Sequence, residues 1–140
     1  MKTLMLFGTF DGLHMGHIHL LQSAKKKAER IIVVIARDER VKELKGHFPL
    51  HTQTERKKII ESIQYVERGV IGHKTDIYSA VKKYQPDYIG LGYDQKFFTD
   101  DLKIKLKELG LEKTQIIRFP AYRSNKCKSS IVRKRLEQEI

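Results

Sequence analysis

Arg30-Ile31-Ile32-Val33-Val34-Ile35-Ala36 is the stretch from which the architecture follows. A strand with one wet face alternates polar and apolar residues, whereas a β-branched run without polar interruption is covered on both faces. Helices on either side of a parallel sheet supply that cover. Upstream, Leu4-Met5-Leu6-Phe7 is a second short apolar run, and Ile18, Leu21, Ala24 and Ala28 recur at helical spacing between the two. Downstream, Thr52-Gln53-Thr54-Glu55 resembles a capping box opening a helix with Ile59, Ile60 and Ile63 on its buried stripe. Val66 to Ile71 reads as a third strand, Thr75 to Tyr84 as a helix stopped before Pro86, and Tyr88 to Leu91 as a fourth strand. Thr99-Asp100-Asp101 caps a helix ending near Gly110, and Gln115 to Phe119 forms a fifth strand before Pro120. The alternation predicts a doubly wound α/β fold, a parallel sheet of about five strands in one domain spanning residues 1–140.

Composition narrows the partners. Forty per cent hydrophobic residues is ordinary for a globular chain, but the net charge of +11 asks for an anionic partner or a heavily solvated lysine surface. Nucleotides, flavin phosphates and nucleic acid all qualify. The lysines are spread through helical segments (Lys25 to Lys27, Lys57-Lys58, Lys82-Lys83, Lys103 to Lys107), which favours solvated outer faces over a specific nucleic-acid surface. Cys127 is the single cysteine and cannot form an internal disulfide, and Leu4 to Phe7 is too short for a signal sequence or a membrane span. These features predict a cytoplasmic protein with no membrane partner. Neither a P-loop nor a dinucleotide-binding glycine fingerprint is present.

The chemistry concentrates in Phe7-Gly8-Thr9-Phe10-Asp11-Gly12-Leu13-His14-Met15-Gly16-His17, which crosses from strand to helix. Ligands of open α/β sheets bind beyond the carboxyl ends of strands, and a helix start there offers free N–H groups to a phosphate. Gly8 and Gly16 let backbone or ligand approach, and His14 and His17, three residues apart, can converge on one phosphate. A metal site of His14, His17 and His19 is a weaker reading: His17 and His19 cannot share a helix face, and no cysteine pair lies close by. Arg37-Asp38-Glu39-Arg40, with Lys42, Lys45 and Gly46 after it, follows the central strand, so its cations reach the same sheet edge if the crossover is right-handed. Arg56 is a cation in the first turn of a helix, an unfavourable place that a nearby anion would explain. Gly92-Tyr93-Asp94-Gln95-Lys96-Phe97-Phe98 ends the fourth strand with groups suited to recognising a base. The tail from Arg123 to Arg133 places hydroxyls at a second helix start, with Ser129 or Ser130 as its cap.

Gly8-Thr9-Phe10-Asp11 followed by His14-Met15-Gly16-His17 resembles the signature of the nucleotidyltransferases of the cytidylyltransferase-like superfamily, and the Arg123 to Ser130 segment resembles its second phosphate motif. Ala36-Arg37-Asp38, Lys45-Gly46 with Pro49, Leu91-Gly92-Tyr93-Asp94-Gln95 and Cys127-Lys128-Ser129-Ser130 sharpen the resemblance toward archaeal-type FAD synthases. Gly12 and Met15 depart from that group, where bulkier aliphatic and proline residues are common. The resemblance implies a Rossmann-like enzyme that joins ATP and FMN and releases pyrophosphate. A glycerol-3-phosphate cytidylyltransferase using CTP is the sister alternative, and a non-catalytic nucleotide- or nucleic-acid-binding module a remote one. It further implies that His14 and His17 contact the reacting phosphates, with Gly8, Thr9, Phe10, Asp11 and Gly16 in the nucleotide-binding loop and Thr9 orienting the triphosphate. Gly92, Asp94 and Gln95 would read the base, Arg123, Ser129 and Ser130 would hold the β- and γ-phosphates, and Phe97 or Phe98 could line the flavin. Arg37, Lys45 and Arg56 are candidate phosphate or acceptor contacts, while Asp11 serves either a metal or the turn. Mg²⁺ or another divalent ion should accompany the nucleotide, with no tightly bound prosthetic group. Homodimerisation stays open.

Overall fold

The structure, a computed structural model, describes residues 1–92 and 99–120. Its strands are β1 (Thr3–Gly8), β2 (Arg30–Ile35), β3 (Arg68–Ile71), β4 (Tyr88–Leu91) and β5 (Gln115–Arg118). Among the described residues five helices are interleaved: α1 (Met15–Lys27), α2 (Asp38–Lys45), α3 (Gln53–Glu61), α4 (Ser79–Tyr84) and α5 (Thr99–Glu108). All strand pairs are parallel, in the order β3-β2-β1-β4-β5.

The covered run at the centre behaves as its composition requires. Ile31, Val33 and Ile35 join Leu4 and Leu6 in one core beneath Leu21 and Ala24 of α1 and Ile60 of α3. On the opposite face Ile32, Val34 and Met5 pack with Val81 of α4 and with Leu102 and Leu106 of α5. Successive strand residues point to opposite faces, so each helix pair has its own half of the core. The chain leaves β1 toward β2 and β3, then returns across β1 to build β4 and β5. That reversal opens a crevice at the carboxyl ends of β1 and β4, the place where open α/β sheets bind ligands.

Several boundaries depart from the sequence expectations. The charged segment after β2 is a helix, α2, closed by Gly46 in the left-handed region at φ 81° with its N–H on the Lys42 carbonyl. Val41 is its one buried residue, so no apolar periodicity announces it. Helix α4 begins at Ser79 rather than Thr75, because Nδ1 of His73 accepts the N–H groups of Thr75 and Asp76 and holds that stretch as a turn. The capping box at α3 is present, Thr52 Oγ1 accepting from Glu55 N at 3.2 Å and Glu55 Oε1 from Thr52 N at 3.0 Å. Ile59 is 37% exposed, however, since the buried stripe of α3 runs through Arg56 and Ile60. Among the described residues, no helix is long and apolar enough to cross a membrane.

Candidate active site

Gly8 ends β1 beneath a loop whose shape is set by Phe10. That residue takes a left-handed φ of 52°, and its ring folds back into the core, leaving it 6% exposed. A Cβ on Gly8 would stand 2.8 Å from the Phe10 ring, so the glycine makes room for this side chain. The ligand approach expected of Gly8 is thus occupied on that side by Phe10. Asp11 is buried as well: Oδ2 accepts from Leu50 N at 2.7 Å and Oδ1 from His51 N at 3.1 Å. Both oxygens tie the motif loop to the segment before α3. These bonds give Asp11 the turn role that the sequence allowed it.

The same loop is gripped by Arg56, whose side chain is fully buried. Its Nη1 donates to the Thr9 carbonyl at 2.9 Å, its Nε to the His51 carbonyl at 3.0 Å and its Nη2 to Asp38 Oδ1 at 2.7 Å. The expectation of an external anion beside Arg56 is therefore corrected. Asp38, at the first turn of α2, is the anion that offsets a cation at the start of α3. A phosphate has no open path to a guanidinium enclosed in this way.

At the end of the loop the two imidazoles cap α1. The N–H of Gly16 donates to His14 Nδ1 at 3.0 Å, and the N–H of His14 donates to His17 Nδ1 at 3.2 Å. Because each Nδ1 is an acceptor, each neutral ring carries its proton on Nε2, ready to donate to an oxygen. The ring centroids of His14 and His17 are 4.1 Å apart, and His17 also lies 5.5 Å from Phe10. Burial lowers the His14 pKa. Burial, the neighbouring His14 and the charge of Lys45 lower that of His17 to about 3, against a smaller opposing pull from Asp11. The charge of Lys45, at the end of α2, thus reaches His17 electrostatically.

On the other side of the crevice, Gly92 follows β4, and its carbonyl accepts from Arg118 Nη1 at 2.8 Å. Asp94, Gln95, Phe97, Phe98, Arg123, Cys127, Ser129 and Ser130 lie outside the described residues. Arg37 stands apart from the histidines: its Nη1 donates to the Gly72 carbonyl at 3.2 Å beside a cavity of about 320 Å³ at the ends of β1, β2 and β3. Sequence reasoning gave no role to Asp38, Gly72 or His73, since only the topology brings residues so far apart in the chain together. Among the described residues, no group of three His, Cys, Asp or Glu side chains could hold a metal ion, and Asp11 has both oxygens on backbone N–H groups.

A strand-to-helix loop capped by two neutral histidines at the reversal of a 3-2-1-4-5 sheet can now be set beside known proteins. The cytidylyltransferase-like family profile matches residues 5–135. The chain belongs to the cytidylyltransferase-like family. An FAD synthase of Thermoplasma acidophilum is 39% identical to it over 140 residues, covering 100% of this chain and 97% of that protein. One from Pyrococcus abyssi is 41% identical over 133 residues, covering 94% and 89%. A crystal structure described as a lipopolysaccharide core biosynthesis protein from Thermoplasma volcanium superimposes with a TM-score of 0.81 at 38% identity, over 87% of this chain and 98% of that one. Phe10, Asp11 and Arg56 build the loop, while His14 and His17 cap the helix that follows it.

Proposed function

We propose that this protein transfers the adenylyl group of ATP to the phosphate of FMN, forming FAD and releasing pyrophosphate. The observation that carries the reading is the histidine pair: two neutral imidazoles with Nε2 donors at the start of α1, at the sheet's reversal point. The similarity to two FAD synthases over nearly the whole chain supports the choice of substrates.

In this reaction an oxygen of the FMN phosphate attacks the α-phosphorus of ATP, a new P–O bond forms, and the bond to the bridging α–β oxygen breaks. The pyrophosphate leaves with that electron pair, so no protein nucleophile is required. The transition state spreads charge over phosphoryl oxygens, and fixed N–H donors stabilise it without reorganising. His14 and His17 supply such donors, and because His17 resists protonation it donates without repelling Lys45. Lys45 adds positive charge at the same point, and the helix start contributes its own partial charge. The α1 cap keeps both rings in one orientation, which supports in-line geometry.

Thr9 orients the triphosphate from the loop, Gly92, Asp94 and Gln95 select adenine, and Arg123, Ser129 and Ser130 hold the β- and γ-phosphates. A divalent ion, Mg²⁺ in the first instance, would accompany the triphosphate and supply charge neutralisation there. The test is to incubate the protein with Mg²⁺, FMN and either ATP or CTP and to separate the flavins by chromatography. FAD from ATP alone supports the reading. No FAD, together with CDP-glycerol from CTP and glycerol 3-phosphate, moves the protein to the sister activity.

A further inference from the structure

The cavity at the ends of β1, β2 and β3 plays no part in the phosphate chemistry above, and its walls have a distinct character. Phe7, Val34 and Ile35 give it an apolar floor, and Arg37, Glu39 and His73 stand on its rim. We propose that it receives the isoalloxazine ring of the flavin acceptor, with the ring's dione edge turned toward Arg37. This assignment rests on the reading of the protein as an FMN adenylyltransferase.

Size and place are the first arguments. A volume of about 320 Å³ stands at the lower end of the roughly 300–1,000 Å³ of small-molecule sites, which suits a ring system better than a whole dinucleotide. Gly8 is both the last residue of β1 and part of the cavity wall, so a ligand there reaches the start of the motif loop. The cavity lies on the β2 side of β1, whereas β4 and its crevice lie on the other. An acceptor seated in the cavity and a nucleotide in the crevice would therefore flank β1, the strand that leads into the motif loop.

The polar groups fit a ring edge that both accepts and donates hydrogen bonds. Arg37 donates through Nη1 to Gly72, but its Nε is buried with no hydrogen-bond partner among the described residues; the nearest carboxylate, on Glu39, is 3.7 Å away. A buried donor without an acceptor is unfavourable, and a ring carbonyl at that point would satisfy it. Nδ1 of His73 accepts from Thr75 and Asp76, which leaves the neutral ring's proton on Nε2 as a second donor. Glu39 and Glu43 also line the cavity. Arg40 and Lys74 line it too and offset their charge, and a carboxylate there can accept from the imide N–H of the flavin.

Two substitutions and two flavins test this. Arg37→Met keeps the length and removes the donors. Gly72→Leu fills space, since an added Cβ would meet only Ile35 O at 3.4 Å and Val34 Cγ1 at 3.9 Å, ordinary contacts. Binding of riboflavin and of FMN is followed by flavin fluorescence, with ATP binding and thermal melting as controls of the fold. Each variant should weaken both flavins by at least about tenfold, the equivalent of one good hydrogen bond or a displaced ring, with ATP binding unchanged. Should Gly72→Leu not fold, Arg37→Met alone decides. Variants that fold and bind both flavins as the wild type does overturn the assignment, and so does a wild type that binds FMN but not riboflavin and releases FMN to inorganic phosphate. A wild type that binds riboflavin through Arg37 yet makes no FAD from ATP and FMN keeps the cavity as a flavin site and overturns the proposed reaction instead.

Discussion

The backbone N–H of His14 donates to Nδ1 of His17 at 3.2 Å, and their ring centroids stand 4.1 Å apart. Protonating His17 would place a hydrogen on the accepting Nδ1, break this cap, and set a cation beside His14 and Lys45. In the unfolded chain the imidazole titrates near its ordinary 6.5, in the folded chain near 3. Between those values the unfolded state binds more protons, so stability is full above pH 6.5 and declines as pH falls through the window toward 3. His17→Asn keeps a side-chain acceptor that does not titrate and should decline less. Denaturation midpoints at pH 7 and pH 4.5 check this; equal losses in wild type and variant would contradict it.

His17→Ala should lower turnover by on the order of 10²-fold or more, the usual effect of deleting a donor aimed at developing negative charge. Loss of the cap should also cost about 1 kcal/mol of stability. The two effects separate in His17→Asn, which restores the acceptor for the His14 N–H but moves the outward donor. Stability recovered without turnover is the expected result. Turnover near normal in a folded His17→Ala protein would remove this residue from the reaction.

Arg56→Met should destabilise by about 3–5 kcal/mol, since it leaves the Asp38 carboxylate and two carbonyls without their buried cation. An exposed phosphate contact would behave in the opposite way, raising KM with little effect on unfolding. Urea denaturation beside steady-state kinetics distinguishes the two.

This residue also shows where the sequence stops being readable. A cation in the first turn of α3 is conspicuous, and an anion was the right inference from it, but Asp38 lies 18 residues earlier in the chain. Only the fold reveals that the anion is internal. The strands were legible because Ile31 to Ile35 are covered on both faces and need no partner to be recognised. Likewise the α3 start was legible, because Thr52 and Glu55 satisfy each other within one turn. Helix α2 was not, since it buries Val41 alone, and the start of α4 was not, since the His73 turn spends the N–H groups that a helix would have used. Within the candidate site, the histidine pair is local and could be read; the cavity is assembled from three strand ends and could not.

Gly8→Ala should destabilise by about 1–3 kcal/mol through overpacking, because the new Cβ meets the stiff Phe10 ring at 2.8 Å. Phe10 already holds an unfavourable φ of 52°, so the loop has little freedom to yield. Activity should fall with stability, and Gly8→Ala combined with Phe10→Leu should recover part of both. A double variant no better than the single one would show that the ring is not what the glycine accommodates.

Asp11 offers the sharpest separation of loop geometry from metal chemistry. Its two oxygens accept from Leu50 N and His51 N, which tie the motif loop to the segment entering α3. Asp11→Asn keeps one acceptor oxygen and replaces the other with an amide that cannot accept, so one N–H loses its partner. The expected cost is about 1–3 kcal/mol of stability, the penalty for a buried donor left unsatisfied. Arg56 grips the same loop at the Thr9 carbonyl, so loosening Asp11 should also blur the placement of His14 and His17 and reduce kcat. A metal ligand would show itself differently: its loss would raise the Mg²⁺ concentration needed for half-maximal turnover by tenfold or so for a single lost carboxylate contact of about 1.4 kcal/mol. Titrating Mg²⁺ at saturating ATP and FMN should therefore give the same half-maximal concentration in wild type and Asp11→Asn, with only the plateau lowered. A marked rise in that concentration, in a variant that melts like the wild type, would return Asp11 to the metal.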